Sequence, residues 1–308
     1  MPHRLTRRRF ALTGGAALLL APTGPARANL TRAVETPLGR VAIPLAPRRV
    51  IAIDSRISLE SGLALGLPLI GYSHSRARPW VPVPGDVPFL AAPPDLEQVL
   101  MLAPDLILCP DASPHSDWWP LARLQAVGPV LPSNHLLSWQ ANLRRLAGWL
   151  DKVDSAEAII AEHAARVATI RTGHARAIDR SLVAAVHFDA IKRRMLVRSA
   201  GTGYGHVMPA QVLADLGGRE VGAAVLGPYG EVALEAFGDV LGGVHGFLLI
   251  DFGDGGPQAL AREPLWQRLP AVRAGRVQSV AGNCTFGASY TARYLLSAWE
   301  ALYARLSG

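Results

Sequence analysis

The sequence lacks the motifs that most often identify an enzyme. It has no G-x-x-x-x-G-K-[ST] loop, no G-x-S-x-G motif and no H-x-x-x-H pair. A glycine-rich stretch from Gly201 to Gly205 has His206 where a dinucleotide fingerprint requires its third glycine. A secreted α/β enzyme is therefore the competing class of function, and no catalytic motif supports it.

Cysteine is scarce, with only two residues in 308. Cys109 and Cys284 lie beside strand-like segments in different halves of the chain, which predicts two separate buried thiols. No cysteine stands directly after the amino-terminal signal segment, so the pattern of a bacterial lipoprotein anchor is absent.

The first 28 residues contain no acidic residue. The arginines in this segment are therefore not balanced, and they supply most of the net charge of +7. Five arginines lie there: Arg4, Arg7, Arg8, Arg9 and Arg27. The rest of the chain carries 26 basic and 24 acidic residues, close to neutrality. A nucleic-acid-binding surface needs a basic excess that this part of the chain does not have, so nucleic acid is excluded as a partner.

Residues 1–28 have the organisation of an export signal. Thr6–Phe10 contains the twin arginines, an apolar run follows from Ala11 to Leu20, and Ala26-Arg27-Ala28 matches a signal-peptidase site. A run of about ten apolar residues is too short for a membrane core that needs roughly 20 in a helix. We expect export by the twin-arginine pathway, cleavage before Asn29 and a free mature protein in the periplasm.

Strand and helix patterns alternate along the rest of the chain. Predicted strands at 49–54, 69–72 and 105–109 alternate with helices at 58–65 and 95–102. Further strands are predicted at 182–188, 195–198, 247–251 and 277–280, with helices at 208–216, 232–237 and 288–306. This alternation predicts an α/β fold with mainly parallel central sheets.

The middle of the chain contains two consecutive helical patterns. One runs from Ser138 to Leu150, and a longer one from Ser155 extends to about Ile178 without proline and with its first glycine at Gly173. A helix of about 24 residues spans roughly 36 Å, enough to join two lobes. We predict an amino-terminal lobe over 29–150, a linking helix over 151–178 and a carboxy-terminal lobe over 179–308.

Three stretches carry a resemblance to a known family: Arg48–Ser73, Pro94–Leu108 and Arg262–Ser289. They resemble the ABC-importer binding proteins whose two lobes are joined by one long helix, and most closely the periplasmic binders of ferric hydroxamate siderophores. The resemblance implies a ferric siderophore as ligand, no cofactor and no catalysis. It also implies a monomer that delivers the siderophore to an inner-membrane permease dimer with its ATPase. Haem and cobalamin binders of the same class are the alternative.

In open α/β sheets, ligands bind beyond the carboxyl ends of the strands. The loops expected there predict the following ligand contacts: Arg76, Arg78, Trp80, His115, Trp118, Tyr204, Tyr229 and Phe286. Aromatic rings would cover the apolar periphery of a chelate, and arginines would hydrogen-bond its oxygens. By the resemblance, Arg78 and Trp80 match a cleft loop of the family. Of the adjacent Trp118 and Trp119, we expect at least one to pack in the core.

The sequence also departs from the family. Ala91 stands where the family has its chelate-gripping arginine, and His115 lies in a loop that should contain a tyrosine. His74, His115 and His206 could together bind a metal directly, but they lack any regular spacing. By the resemblance, Glu97 and Glu231 dock on the permease. Glu231 is expected to begin a helix, and both carboxylates would also complement helix dipoles.

Overall fold

The computed structural model describes residues 30–76, 78–111, 116–203 and 205–307. The strands are β1 (Thr31–Thr36), β2 (Gly39–Pro44), β3 (Val50–Ala52), β4 (Leu69–Tyr72), β5 (Leu106–Pro110), β6 (Val130–Ser133), β7 (Leu182–Asp189), β8 (Arg194–Val197), β9 (Arg219–Glu220), β10 (Glu231–Ala233), β11 (Gly246–Asp251) and β12 (Val277–Ala281). The helices are α1 (Ile57–Ala64), α2 (Leu96–Met101), α3 (Leu121–Gln125), α4 (Trp139–Leu150), α5 (Val153–Arg180), α6 (Met208–Asp215), α7 (Phe237–Leu241), α8 (Gly256–Leu260), α9 (Pro264–Gln267), α10 (Pro270–Arg273) and α11 (Ser289–Ser307).

The first sheet belongs to residues 30–150, which we call the N-lobe. Its strand order is β4-β3-β5-β6, and every pairing is parallel. All residues of β3, β5 and β6 are buried. Helices therefore cover both faces of the sheet, as short, uniformly apolar strands require.

The second sheet belongs to residues 181–307, the C-lobe, and has the order β10-β8-β7-β11-β12. β7, β11 and β12 are parallel to one another, β8 pairs antiparallel with both β7 and β10, and β9 pairs in parallel with the start of β7. The predicted fold class, two α/β lobes with mainly parallel sheets and one long linking helix, is confirmed. Because β8 runs against its two neighbours, the C-lobe sheet is mixed.

The linking helix predicted over 151–178 is α5, Val153–Arg180. Its backbone leaves helical geometry at His174 (φ −127°, ψ 20°), directly after Gly173. The helix before it, α4, begins where the side chain of Ser138 accepts a hydrogen bond from the N–H of Ala141 at 3.1 Å. The lobe boundaries at 150 and 179 stay a prediction.

One hydrophobic core runs through both lobes. It joins Leu59 of α1 and Leu143 of α4 to Ile170 of α5 and to Leu295 and Trp299 of α11, all nearly inaccessible to solvent. α11 packs against α5 and α6, and it also contacts α1 of the N-lobe. The two lobes are therefore packed against each other along one side, in addition to being linked by α5.

Some elements differ from the sequence-based predictions. The helix predicted over 232–237 is wrong: strand β10 is followed by a 3₁₀ turn, Leu234–Ala236, and then by α7. The hairpin of β1 and β2 and the strands β6, β9 and β10 were not predicted. The export signal over 1–28 lies outside the described residues.

Cys109 and Cys284 are free and buried, which confirms the prediction of two separate thiols. Burial raises the pKa of the Cys284 thiol to about 12, so it is protonated at neutral pH. None of the helices in the part of the chain that the structure describes is both long and apolar enough to cross a membrane.

Candidate functional site

A cluster of rings surrounds one arginine where the carboxyl ends of the N-lobe strands face the C-lobe. Arg56 follows β3, and its neighbours follow the strands beside it or the last strand of the C-lobe. Arg56 contacts Trp119, His135 and Phe286 directly. His74 stacks on Trp119, and Trp118 meets His74 edge-on. We call these six residues the cleft cluster. It occupies the strand ends at which ligands of α/β proteins bind.

Arg56 connects the two lobes through its guanidinium. Its Cζ lies 5.3 Å from the ring centre of Trp119 in the N-lobe and 5.1 Å from that of Phe286 in the C-lobe. Its Nε donates to Asp54 Oδ1 at 2.8 Å, and its Nη2 donates to His135 Nε2 at 2.9 Å. Two aromatic faces and two hydrogen bonds thus fix the cation in place.

Asp54 supplies the charge that balances Arg56. Its side chain is fully buried, and it accepts from the N–H groups of Arg56 and Ile57 as well as from the guanidinium. Burial by itself raises the pKa of this carboxyl. The charge of Arg56, together with its hydrogen bond and the nearby His135 and His74, outweighs burial and holds the pKa of Asp54 well below its usual range, so the pair stays ionised.

Both histidines of the cleft cluster are neutral at pH 7. Burial lowers the pKa of His74 to about 4, and the charge of Arg56 adds to the shift. Burial likewise lowers the pKa of His135 to about 4, although Asp54 opposes the change. His135 Nε2 accepts from Arg56, which leaves the proton of the neutral ring on Nδ1. The cluster therefore presents uncharged ring faces.

The ring of His74 is held by its neighbours in an unusual backbone conformation. Its φ is 96°, a region that residues other than glycine rarely adopt. The ring stacks on Trp119 with a centroid distance of 5.3 Å, and its Nδ1 lies 3.3 Å from Ser55 Oγ. Such strain persists where packing fixes a residue, and it is frequent at binding sites.

The C-lobe closes the other side of the site. The ring of Phe286 meets His135 edge-on with a centroid distance of 4.8 Å. The loop after β8 reaches the same histidine, since the N–H of His206 donates to the His135 carbonyl at 3.3 Å. Tyr229 is half exposed and lies against this loop, where a Cβ on Gly203 would be 2.9 Å from its ring.

The structure brings two of the predicted ligand contacts, Trp118 and Phe286, into the cleft cluster. Trp118 is 49% exposed, whereas Trp119 is 9% exposed and packs in the N-lobe core. This agrees with the prediction that one of the two tryptophans is a core residue. Tyr229 borders the cleft from the C-lobe.

Arg78 and Trp80 lie elsewhere. Arg78 is buried and forms an ion pair with Glu60, and it donates to the carbonyls of Asn283 and Phe286. Trp80 stacks in parallel on Tyr294 of α11 at 4.3 Å. These contacts join the two lobes and hold both side chains outside the cleft cluster, a placement that the sequence did not indicate.

Of the remaining predicted contacts that the structure describes, Arg76 lies outside the cluster. Arg76 is exposed and lies over the ring of Phe89, with Cζ 4.5 Å from its centre. His115 and Tyr204 are outside the described residues. His206 is exposed and contacts the cluster only through its backbone. In the described ranges, no group of three or more His, Cys, Asp or Glu side chains could hold a metal ion.

The two glutamates assigned to docking differ in their surroundings. Glu97 is exposed in the first turn of α2, where its N–H donates to Asp95 at 2.9 Å. Glu231 begins strand β10 rather than a helix, and its carboxylate pairs with Arg194 at 2.5 Å. The prediction that Glu231 opens a helix is wrong.

Sequence reasoning missed Arg56 and His135. Arg56 follows the first predicted strand, so its position at a strand end was a usable signal. His135 follows β6, whose four residues include a proline, and this strand was not recognised. Nothing in the local sequence indicates that Arg56 contacts rings from both lobes.

Several solved structures share this fold. A periplasmic solute binding protein from Mycobacterium smegmatis has a TM-score of 0.74 at 17% sequence identity, over 90% of this chain and 99% of that chain. The siderophore binding protein FhuD from Vibrio cholerae, bound to Fe³⁺–Desferal, has a TM-score of 0.68 at 23% identity, over 84% of this chain and 98% of that chain. The periplasmic binding protein component of a Fep/Fec-like ferrichrome ABC transporter from Bacillus subtilis has a TM-score of 0.72 at 19% identity, over 87% of this chain and 98% of that chain.

No curated protein sequence matches the chain. The family model described as periplasmic binding protein matches residues 90–281, which include β5 and β6 of the N-lobe sheet, the strands of the C-lobe sheet, the linking helix and part of the cleft cluster. The chain belongs to the periplasmic binding protein family.

Proposed function

We propose that this protein is the substrate-binding component of an ABC importer and that it carries a ferric siderophore in the cleft between its lobes. The observation that carries the proposal is the cleft cluster, in which aromatic and neutral imidazole rings from both lobes surround Arg56. We further propose that the protein acts as a monomer and does no chemistry on its ligand.

The chemistry of the cluster suits a bulky chelate. A ferric siderophore surrounds its iron with its own oxygens, so the binding protein need supply only contact surface and a few polar groups. Trp118, His74 and Phe286 offer ring faces for the apolar periphery. Arg56 and the Nδ1–H group of His135 provide the polar part of the same surface, since both are hydrogen-bond donors and chelate oxygens are acceptors.

The solved structures support this choice of ligand. The V. cholerae neighbour binds Fe³⁺–Desferal, and the B. subtilis neighbour belongs to a ferrichrome transporter. Both ligands are hydroxamate chelates. The cleft of the present chain differs from the hydroxamate pattern at Ala91, so we propose that Arg56 and the rings around it provide its own means of holding the chelate.

For docking on the permease, we propose Glu97 in the N-lobe and Glu235 in the C-lobe. Glu97 follows Leu96 at the start of α2, which leads to β5. Glu235 follows Leu234 at the start of the 3₁₀ turn before α7, which leads to β11. The two acids thus occupy corresponding places in the two lobes.

Accessibility supports Glu235 over Glu231. Glu235 is exposed, and no ion pair involves it within the described residues. Glu231 is partly buried and already paired with Arg194. A docking carboxylate must be free to meet a cation of the partner without first breaking an internal pair.

We also propose that residues 1–28 direct export by the twin-arginine pathway and are then removed. Amino-terminal sequencing of periplasmic protein should begin at Asn29. Recovery of a chain that still contains Arg7 and Arg8 would contradict cleavage at this site.

Native mass spectrometry with a panel of ferric siderophores, haem and cobalamin tests the choice of ligand. We expect an intact complex with at least one ferric siderophore, accompanied by quenching of tryptophan fluorescence. Binding of haem alone, with its sharp Soret band, or of cobalamin alone would replace the proposal with the alternative ligand of this class.

A further inference from the structure

A buried polar network joins the lobes directly beneath the cleft cluster. It consists of Glu60 on α1, Arg78 and Trp80 in the loop after β4, and Thr291 on α11. We call these four residues the interlobe network. Three belong to the N-lobe and one to the C-lobe. The side chains of Glu60 and Arg78 are almost completely inaccessible to solvent.

Glu60 holds the start of the last helix. Its carboxylate accepts from the N–H of Ala288 at 2.8 Å and from the N–H of Thr291 at 2.9 Å. These backbone donors lie at the amino-terminal end of α11, where N–H groups lack partners within the helix and favour negative charge. A side chain of the N-lobe thus caps a helix of the C-lobe.

Thr291 joins the other members. Its hydroxyl donates to Glu60 at 2.5 Å and accepts from Arg78 Nη2 at 2.7 Å and from Trp80 Nε1 at 2.9 Å. One donor and two acceptor sites are all that a hydroxyl offers. The Thr291 hydroxyl therefore uses all of its hydrogen-bonding capacity. A buried polar group that lacked these partners would cost free energy through desolvation.

Arg78 extends the network to the wall of the cleft. Besides its pair with Glu60, its Nη1 donates to the Asn283 carbonyl at 2.6 Å and to the Phe286 carbonyl at 3.1 Å. The ring of Phe286 lies against His135 and Arg56 in the cleft cluster. The backbone carbonyl of Phe286 thus accepts a hydrogen bond from a charged side chain of the N-lobe.

We propose that Arg78 and Glu60 are positioning residues for the ligand site, which hold Phe286 in the place where a ligand meets it. The inference rests on the proposed function. It assigns Arg78 an effect on affinity that acts through Phe286, without contact to the ligand. Pre-formed walls raise affinity because the ligand does not have to order them on binding.

Arg78→Lys tests this relationship, because lysine keeps the charge opposite Glu60 but has no planar fork to reach two carbonyls as well. With ferrioxamine B as the probe, we expect affinity to fall about three- to tenfold, as for the loss of one hydrogen bond. In the Phe286→Ala background, the same substitution should change affinity by less than about twofold, since the ring through which it acts is gone. Thr291→Val, which keeps the side-chain shape and removes the hydroxyl, provides a second variant if Arg78→Lys does not fold.

Hydrogen exchange of the ligand-free protein tests the same proposal without a probe. Backbone amides of 283–291 should exchange faster in Arg78→Lys and Thr291→Val than in the parent, whereas Arg76→Lys, an exposed arginine of the same loop, should change nothing. Unchanged exchange at 283–291 would overturn the proposal, as would equal losses of affinity with and without the Phe286 ring. If the parent binds no ferric siderophore, the proposed function fails, and exchange alone decides whether Arg78 holds the loop.

Discussion

The carboxylate of Glu60 lies 2.9 Å from the backbone nitrogen of Thr291, although 231 positions separate the two residues in the sequence. One lobe thus supplies the cap for a helix of the other. This contact joins the lobes in addition to the shared hydrophobic core, α5 and the cleft cluster. Relative movement of the lobes would have to break the buried hydrogen bonds that Thr291 makes with Glu60, Arg78 and Trp80.

We therefore expect little closure when a ligand binds. X-ray scattering of the ligand-free and ligand-saturated protein should give radii of gyration that agree within about 1 Å, as for pre-organised complexes. The break at His174 lies near the end of α5 and provides no hinge in the middle of the helix. A larger decrease on binding would show that the interlobe network opens.

Gly287 is the position most sensitive to a small side chain in this region. A Cβ there would collide with Thr291 Oγ1 and lie 2.9 Å from Glu60 Oε1. We expect Gly287→Ala to lower the free energy of unfolding by about 1–3 kcal/mol through overpacking. Gly148→Ala is the matched control, since its Cβ meets no atom within 4 Å on α4. It should be neutral or stabilise the helix by up to about 1 kcal/mol. Urea unfolding of both variants measures the difference, and equal effects would rule out a close approach at Gly287.

Trp118 is the most exposed ring of the cleft cluster. Trp118→Ala should weaken binding of a ferric siderophore about three- to tenfold through lost aromatic contact, with no change in thermal stability. Ile191→Ala is the control: Ile191 is 95% exposed in the turn between β7 and β8 and takes no part in the cluster. Fluorescence titration compares the two, and equal affinities would place the ligand away from Trp118.

Docking and ligand binding should separate by mutation. Glu97→Lys and Glu235→Lys should each bind the siderophore as the parent does, but reduce uptake in cells about tenfold or more, because each places a cation against a cation of the permease. Glu231→Gln is the discriminating variant, since it tests the acid expected from the sequence. Reduced uptake in Glu231→Gln with normal uptake in Glu235→Lys would return the docking role to Glu231.

The neutral histidines of the cleft cluster make stability depend on pH. His74 and His135 have folded pKa values of about 4, below their ordinary value of 6.5. Between these values the unfolded chain binds more protons than the folded chain, so stability is lost as pH falls from about 6.5 towards 4. Each histidine should cost about 1–2 kcal/mol between pH 7 and pH 5.

Urea unfolding at the two pH values measures this loss. His135→Gln, whose amide oxygen can still accept from Arg56, should remove about half of it. A drop in stability that is the same in the parent and in His135→Gln would show that other groups cause it. The low pKa of Asp54 acts only in more acidic solution, where protonation of its carboxyl removes further stability.

Much of the fold could be predicted because its strands and helices follow simple patterns. β3, β5, β7 and β11 are apolar runs, and α4 begins at the capping residue Ser138. β6 escaped prediction because it is short and includes Pro132, and β10 because Val232 and Leu234 also fit a helical pattern. In both cases the strand forms because it pairs with a strand distant in sequence, β6 with β5 and β10 with β8. The local sequence does not indicate such pairing.

The site was harder to predict than the fold. Position at a strand end indicated that the loops of Trp118 and Phe286 come together, because the topology alone brings such loops together. Ligand contact by these two rings stays a prediction. The same reasoning did not indicate that Arg78 and Trp80 pack between the lobes, since a loop position does not tell on which side of the loop a side chain lies. Both are directed towards α11 by Thr291 and Tyr294, more than 200 residues later.

The dependence of the N-lobe on α11 bears on the order of folding. The faces of α1, α5 and α6 that α11 covers stay open to water until Ser289–Ser307 are in place. A growing chain can form its N-lobe sheet early, but it cannot complete the core of its first half before the nineteen residues of α11 exist. Contacts between such distant parts of the chain predict slow, concerted folding, and a protein that lacks α11 should fail to complete its core.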